Sequence, residues 1–160
     1  MSRLFSALSA GLIVLALSIP AIAQTPDSSP TSDRPFLRHA ALSPDGSTVA
    51  FSYQGDIWTV PSEGGRAFRL TVHEGYEGHP RWNDAGTHIA FTSDRHGNDD
   101  VFVMTADGNA PKRLTYHSTD DVVTDVTADD RILFNTERTY VQVERESEVY
   151  HVPMAGSMPD

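Results

Sequence analysis

Seven histidines, 22 acidic residues and a scatter of serines are the side chains of this 160-residue chain that could do chemistry. Their spacing fits none of the usual catalytic patterns. No G-x-S-x-G run is present to hold a serine on a strained strand-to-helix turn, so no catalytic residue is assigned. His73-Glu74 with His79 falls short of the H-E-x-x-H zinc pattern, because position 77 is Glu. These residues also lie in a Gly-broken stretch, where two ligands would not share a helix face. Asp94, Asn98, Asp99 and Asp100 do not follow the D-x-[DN]-x-[DN]-G calcium loop and read as a polar hairpin tip. The sequence therefore calls for no metal and no cofactor.

Bulk composition narrows the partners. Twelve Lys and Arg against 22 Asp and Glu leave a net charge of −10. A nucleic-acid partner would want a basic face, and an anionic membrane surface would repel this one. The absence of cysteine excludes disulfides, thiolate metal sites, a cysteine nucleophile and an acylated-cysteine anchor. Arg3 followed by an uncharged apolar run over Leu4–Ile19, Pro20 and the small-x-small triplet Ala21-Ile22-Ala23 reads as a signal peptide over residues 1–23. Export to the periplasm or medium, cleavage after Ala23 and no membrane anchor are the expectations. Residues 24–35 are rich in Ser, Thr, Pro and Asp and read as a linker.

The elements that must position any site come from an internal repeat. Leu42-Ser43-Pro44-Asp45-Gly46 through Phe51-Ser52 aligns with Trp82-Asn83-Asp84-Ala85-Gly86 through Phe91-Thr92 at an offset of 40 residues. A third copy runs from Val126 to Phe134. Asp56–Val60 matches Asp100–Met104 and Glu148–Val152, and Arg69-Leu70-Thr71 matches Arg113-Leu114-Thr115. Each unit carries four strand candidates; in the second they are about Pro80–Trp82, His88–Ser93, Asp100–Thr105 and Pro111–Thr115. Val101 and Val103 alternate with Phe102 and Met104, so both faces of that strand are apolar and both must be covered. Four short antiparallel strands per repeat of this length describe a β-propeller blade. The predicted fold is all-β, with two complete blades and a truncated third at about 36–75, 76–119 and 120–160. Propellers close with about four to eight blades. The chain is thus expected to be the N-terminal portion of a larger protein or a truncated reading frame.

Leu42–Gly46 through Gly55-Asp56-Ile57-Trp58-Thr59-Val60-Pro61 resembles the repeats of TolB-like periplasmic propellers. With His79-Pro80-Arg81-Trp82, Arg113–His117, Asp120–Val123 and the insertion Arg138–Ser147, the chain is similar to the start of tricorn-type serine peptidases. That resemblance implies an exported peptidase whose propellers admit and route peptides to a catalytic domain downstream. Its partners would be peptides or the parent's own domains, with homo-oligomers formed through the parent. A TolB-like scaffold for a protein partner, or the propeller of a prolyl-oligopeptidase or amidohydrolase relative, is the alternative. Asn83–Gly86 and Ala128–Asp130 replace the usual Ser-Pro-Asp-Gly turn, which is expected to loosen those turns.

His73, His79, His117, Asp120 and Asp121 are expected in the loops joining one blade to the next, at one mouth of the propeller. They could touch substrate there, or could hydrogen-bond one blade to the next, as recurrent polar groups usually do. Trp58, Phe102 and Tyr150 occupy equivalent positions and read as blade packing. Amino-terminal sequencing of periplasmic material should begin at Gln24; intact Met1 recovered in the inner membrane would overturn the cleavage reading.

Overall fold

The computed structural model describes residues 36–137 and 148–156. The signal-peptide and linker assignments, and the insertion at Arg138–Ser147, lie outside these residues. The described residues form eleven strands and no helix. They are β1 (Arg38–Leu42), β2 (Thr48–Tyr53), β3 (Asp56–Pro61), β4 (Phe68–Arg69), β5 (Glu77–Trp82), β6 (His88–Ser93), β7 (Asp100–Thr105), β8 (Lys112–Arg113), β9 (Asp121–Val126), β10 (Arg131–Thr136) and β11 (Glu148–Pro153). Two antiparallel four-stranded sheets, β1-β2-β3-β4 and β5-β6-β7-β8, are followed by a three-stranded sheet of β9, β10 and β11.

The repeat lives in the ladders. Phe51 pairs with Trp58, Phe91 with Phe102 and Phe134 with Tyr150, so the packing positions read from the sequence are equivalent in register. Opposite each phenylalanine the first strand of the sheet bulges, placing two residues against one. The bulges fall between Arg38 and Ala41, between Gly78 and Arg81, and at Thr124. A bulge twists the strand locally and re-aims its side chains. Pro80 is tolerated inside β5 because a bulged residue owes the ladder no N–H. The bulge also explains why the pattern from Pro80 understated this strand, which begins at Glu77.

The middle sheet is covered on both faces. Ile89, Phe91, Phe102 and Met104 pack with Ala50 and Ile57 of the first sheet. Ala90, Val101 and Val103 pack with Val123, Ile132, Phe134, Val152 and Met154 of the third. The double-sided apolar pattern of β7 therefore has its cause in these two seams. Close approach requires glycine at Gly108, where a Cβ would stand 2.8 Å from the Leu70 carbonyl oxygen of the neighbouring sheet. Backbone cannot yield that distance cheaply.

The turns entering the second strands keep one device through three different sequences. Ser43 Oγ accepts the Thr48 N–H at 2.9 Å, Asn83 Oδ1 the His88 N–H at 2.9 Å, and Thr127 Oγ1 the Arg131 N–H at 3.1 Å. The loosening expected from the lost Ser-Pro-Asp-Gly string is offset, because Asn and Thr supply the same acceptor as Ser. Phe91 is fully buried in the first seam. Its replacement by Ala should cost about 3–5 kcal/mol, read as a lowered urea midpoint; an unchanged midpoint would refute the packing.

Candidate functional site

The antiparallel order brings the hairpins between second and third strands, and the connectors from sheet to sheet, to one end of the molecule. Carboxylates gather there. Asp56 and Asp100 open the third strands, Glu77 and Asp121 open the first strands of the next sheets, and all four are buried. Thirteen residues after each third-strand acid stands an arginine: Arg69 pairs with Asp56, and Arg113 Nη2 lies 2.6 Å from Asp100 Oδ2. The Nε of each arginine donates to the carbonyl two residues on, Thr71 at 2.9 Å and Thr115 at 2.7 Å. The hydroxyls of Thr71 and Thr115 accept the N–H of Ile57 and Val101, each at 2.9 Å. This acid–arginine–threonine latch therefore replaces ladder bonds with side-chain bonds. It corrects the strand expected over Pro111–Thr115, of which only Lys112–Arg113 is ladder.

A third arginine, Arg95, pairs with the buried Glu77. Burial lowers the pKa of Arg95 and raises that of Asp100, where Arg113 opposes the rise and the charge of Asp121 adds to it. Asp99 is raised too, first by burial and then by Asp120, Asp94 and Asp100. Sheet-to-sheet bonds complete this end: Glu77 N–H donates to Gly55 O at 2.8 Å and Asp121 N–H to Asp99 O at 2.7 Å.

The residues singled out in the sequence divide into two groups. His73, His117 and Asp120 do lie in connectors. His73 Nδ1 accepts the Gly75 N–H, His117 Nδ1 meets Thr119 Oγ1 at 2.8 Å, and Asp120 Oδ1 accepts the Asp99 N–H at 3.0 Å. Asp121 and His79 are not loop residues. Asp121 is the buried first residue of β9, and His79 sits in the bulge of β5, because the inner strands start earlier than their apolar pattern. The contacts made by His73, His117 and Asp120 are local ones within and between connectors. Hydroxyl–imidazole contacts among the described residues are Thr87–His88 and Thr119–His117, between near neighbours in sequence. Among the described residues no group of three or more His, Asp or Glu side chains could hold a metal ion.

Sequence reasoning missed His39. Its ring stacks on that of His79 with centroids 3.7 Å apart, and it occupies the same repeat position. The 40-residue offset was the available signal. A groove of about 410 Å³ opens beside this pair at the connector end, lined by Phe36, Arg38, Ser52, Tyr53 and Tyr76. A second of about 530 Å³ lies at the opposite, turn end over Trp82, with Asp45, Asp84 and Asp107 at its rim.

Comparison with known proteins supplies the family context. The family model described as the tricorn protease N-terminal beta propeller domain matches residues 34–160. Tricorn protease homolog 1 of Streptomyces coelicolor is 41% identical over 91 residues, which are 56% of this chain and 8% of that relative. The chain thus spans under a tenth of that relative's length. Among solved structures, a TolB from Agrobacterium tumefaciens superposes with a TM-score of 0.65 at 23% identity, covering 79% of this chain and 48% of that one. The crystal structure of the tricorn protease gives 0.56 at 15% identity, covering 73% and 13%.

Asp99 tests the electrostatics of the connector end. A carboxyl whose folded pKa is raised opposes folding when charged, and the penalty fades as pH falls through that pKa. Asp99→Asn should therefore raise the unfolding midpoint at pH 7 and leave it unchanged at pH 3. A lower midpoint at pH 7, in thermal melts across that range, would contradict the crowding.

Proposed function

Because the chain belongs to the tricorn protease N-terminal beta propeller domain family, we propose that it is the propeller portion of an exported tricorn-like serine peptidase. In this reading it admits and routes peptides toward a catalytic domain lying outside this chain. The carrying observation is the family match over residues 34–160, which takes in all three sheets. Two features support a routing role. Among the described residues the hydroxyls that meet an imidazole belong to Thr87 and Thr119, not to a serine. The connector end concentrates polar side chains and the aromatic-lined groove at the loops of successive blades, where propellers commonly meet ligands. Peptides, and the parent's own downstream domains, are the partners proposed. His73 and His117 are the residues proposed to face them.

Sequencing the DNA beyond the codon for Asp160 comes first. A serine peptidase domain in frame supports the reading; a different hydrolase, or a natural stop with a protein partner recovered, favours the alternatives. Rigorously pure chain should then release no fluorophore from a peptide library, while the full-length parent should. In the parent, His73→Ala with His117→Ala should raise KM for long peptides several-fold and leave kcat for dipeptide-sized substrates unchanged. Cleavage by this chain alone, abolished by mutating one of its own serines, would overturn the proposal.

A further inference from the structure

The two seams of the fold can be compared position by position, and one difference between them falls on the inner strands at the bulge. In the seam between the second and third sheets, the inner strand carries Val123, whose N–H donates to Thr92 Oγ1 at 2.9 Å. The register makes Ser52 the counterpart of Thr92 and His79 the counterpart of Val123. In the first seam that bond is not made, and Ser52 Oγ is buried with no hydrogen-bond partner. The inner strands meet there through the stacked rings of His39 and His79 and, further along, through Trp82 Nε1, which donates to Ala41 O at 3.1 Å. His39 Nδ1 is also buried and without a partner. Both histidines are held at positive φ, 52° and 53°, inside β-bulges. Left-handed backbone in a non-glycine residue is uncommon, and paired outliers at equivalent positions point to a constrained, functional feature.

The charges around the pair have one sign. Arg38 and Arg81 act on His39, and His39 and Arg81 act on His79. The acids nearby are already engaged: Glu77 of β5 itself with Arg95, Asp56 of β3 with Arg69, and Asp125 of β9 with the N–H of Val126. From β6 comes His88, bonded to Thr87, and from β9 the buried Asp121, whose N–H reaches Asp99. Tyr76 lies against Gly78 beside the His39 ring, and β2 contributes Tyr53 as its one ionisable side chain. None of the acids bonds to either imidazole among the described residues.

We propose that the His39–His79 stack is a proton-sensitive joint: it holds the inner strands of the first two blades together while both rings are neutral, and parts them on acidification. A proton on either ring would face a second ring 3.7 Å away and the Arg81 guanidinium, joined at His39 by Arg38, with none of the acids named above bonded to it. Geometry sets the direction. Burial first, then Arg38 and Arg81, lower the pKa of His39; burial, His39 and Arg81 push that of His79 down to about 4. A folded pKa below the unfolded value means that the opened state binds more protons. Closure is therefore fully favoured above the ordinary value of about 6.5 and weakens as pH falls toward 4. The second seam, with valine at this position, has no such dependence.

Hydrogen–deuterium exchange on the whole chain, corrected for intrinsic rates, reads the joint directly. Between pH 7 and pH 5 the protection of β1 and β5 should drop about tenfold while that of β9 holds. Asparagine tolerates left-handed backbone and does not titrate, so His39→Asn with His79→Asn should abolish the selective drop. Equal loss at both seams, or an unchanged drop in the double variant, overturns the proposal. Should that variant fail to fold, the native chain still decides: the His79 Cε1–H resonance must titrate well below 6.5, and an ordinary midpoint overturns the proposal.

Discussion

A β-sheet whose side chains are apolar on both faces cannot stand in water; it has to lie between two others. That constraint organises this molecule. Val101 and Val103 leave one face of β7 while Phe102 and Met104 leave the other, and each set finds a different neighbour. The turns, bulges and buried ion pairs exist where they do because three sheets must come close enough to exclude water from two seams at once.

Close stacking leaves polar groups inside, and the latch of acid, arginine and threonine is how they are satisfied. Buried ion pairs contribute little net stability, since desolvation offsets attraction, but losing one partner strands the other charge at considerable cost. Asp56–Arg69 and Asp100–Arg113 therefore act less as glue than as a requirement. Only the register that brings them together avoids a lone buried charge. The same logic explains the length of the latch, thirteen residues in both complete sheets: the chain must descend β3 or β7, turn, and return opposite Trp58 or Phe102, from where the arginine side chain reaches the first residue of the strand.

Much of this was legible in the sequence, because repetition reveals position. Phe51, Phe91 and Phe134 could be aligned without coordinates, and with them their partners Trp58, Phe102 and Tyr150. The ends of the units were harder to read. Glu77 and Asp121 look like loop residues by polarity, yet they are buried strand starts, since Arg95 neutralises Glu77 and backbone bonds tie both to the preceding sheet. Thr71 and Thr115 read as ends of strands when they are acceptors for a neighbouring strand. His39 escaped notice because stacking across a seam marks neither chain segment by itself, and only the 40-residue offset to His79 carries it. Polarity patterns report exposure only when no partner is buried alongside, and these residues have buried partners.

The outermost strands, β4 and β8, are only two residues long, since a threonine hydroxyl takes over where the ladder would have continued. Such a strand is a poor template. A rim made of long, regular strands would offer rows of unsatisfied amides to any neighbouring copy, and copies would zip together edge to edge. Two rungs are too few to nucleate that growth. Stapling the rim by side chains thus guards these edges of the first two sheets against fibrous self-association, a safeguard that matters most while the chain is newly made and crowded among identical copies.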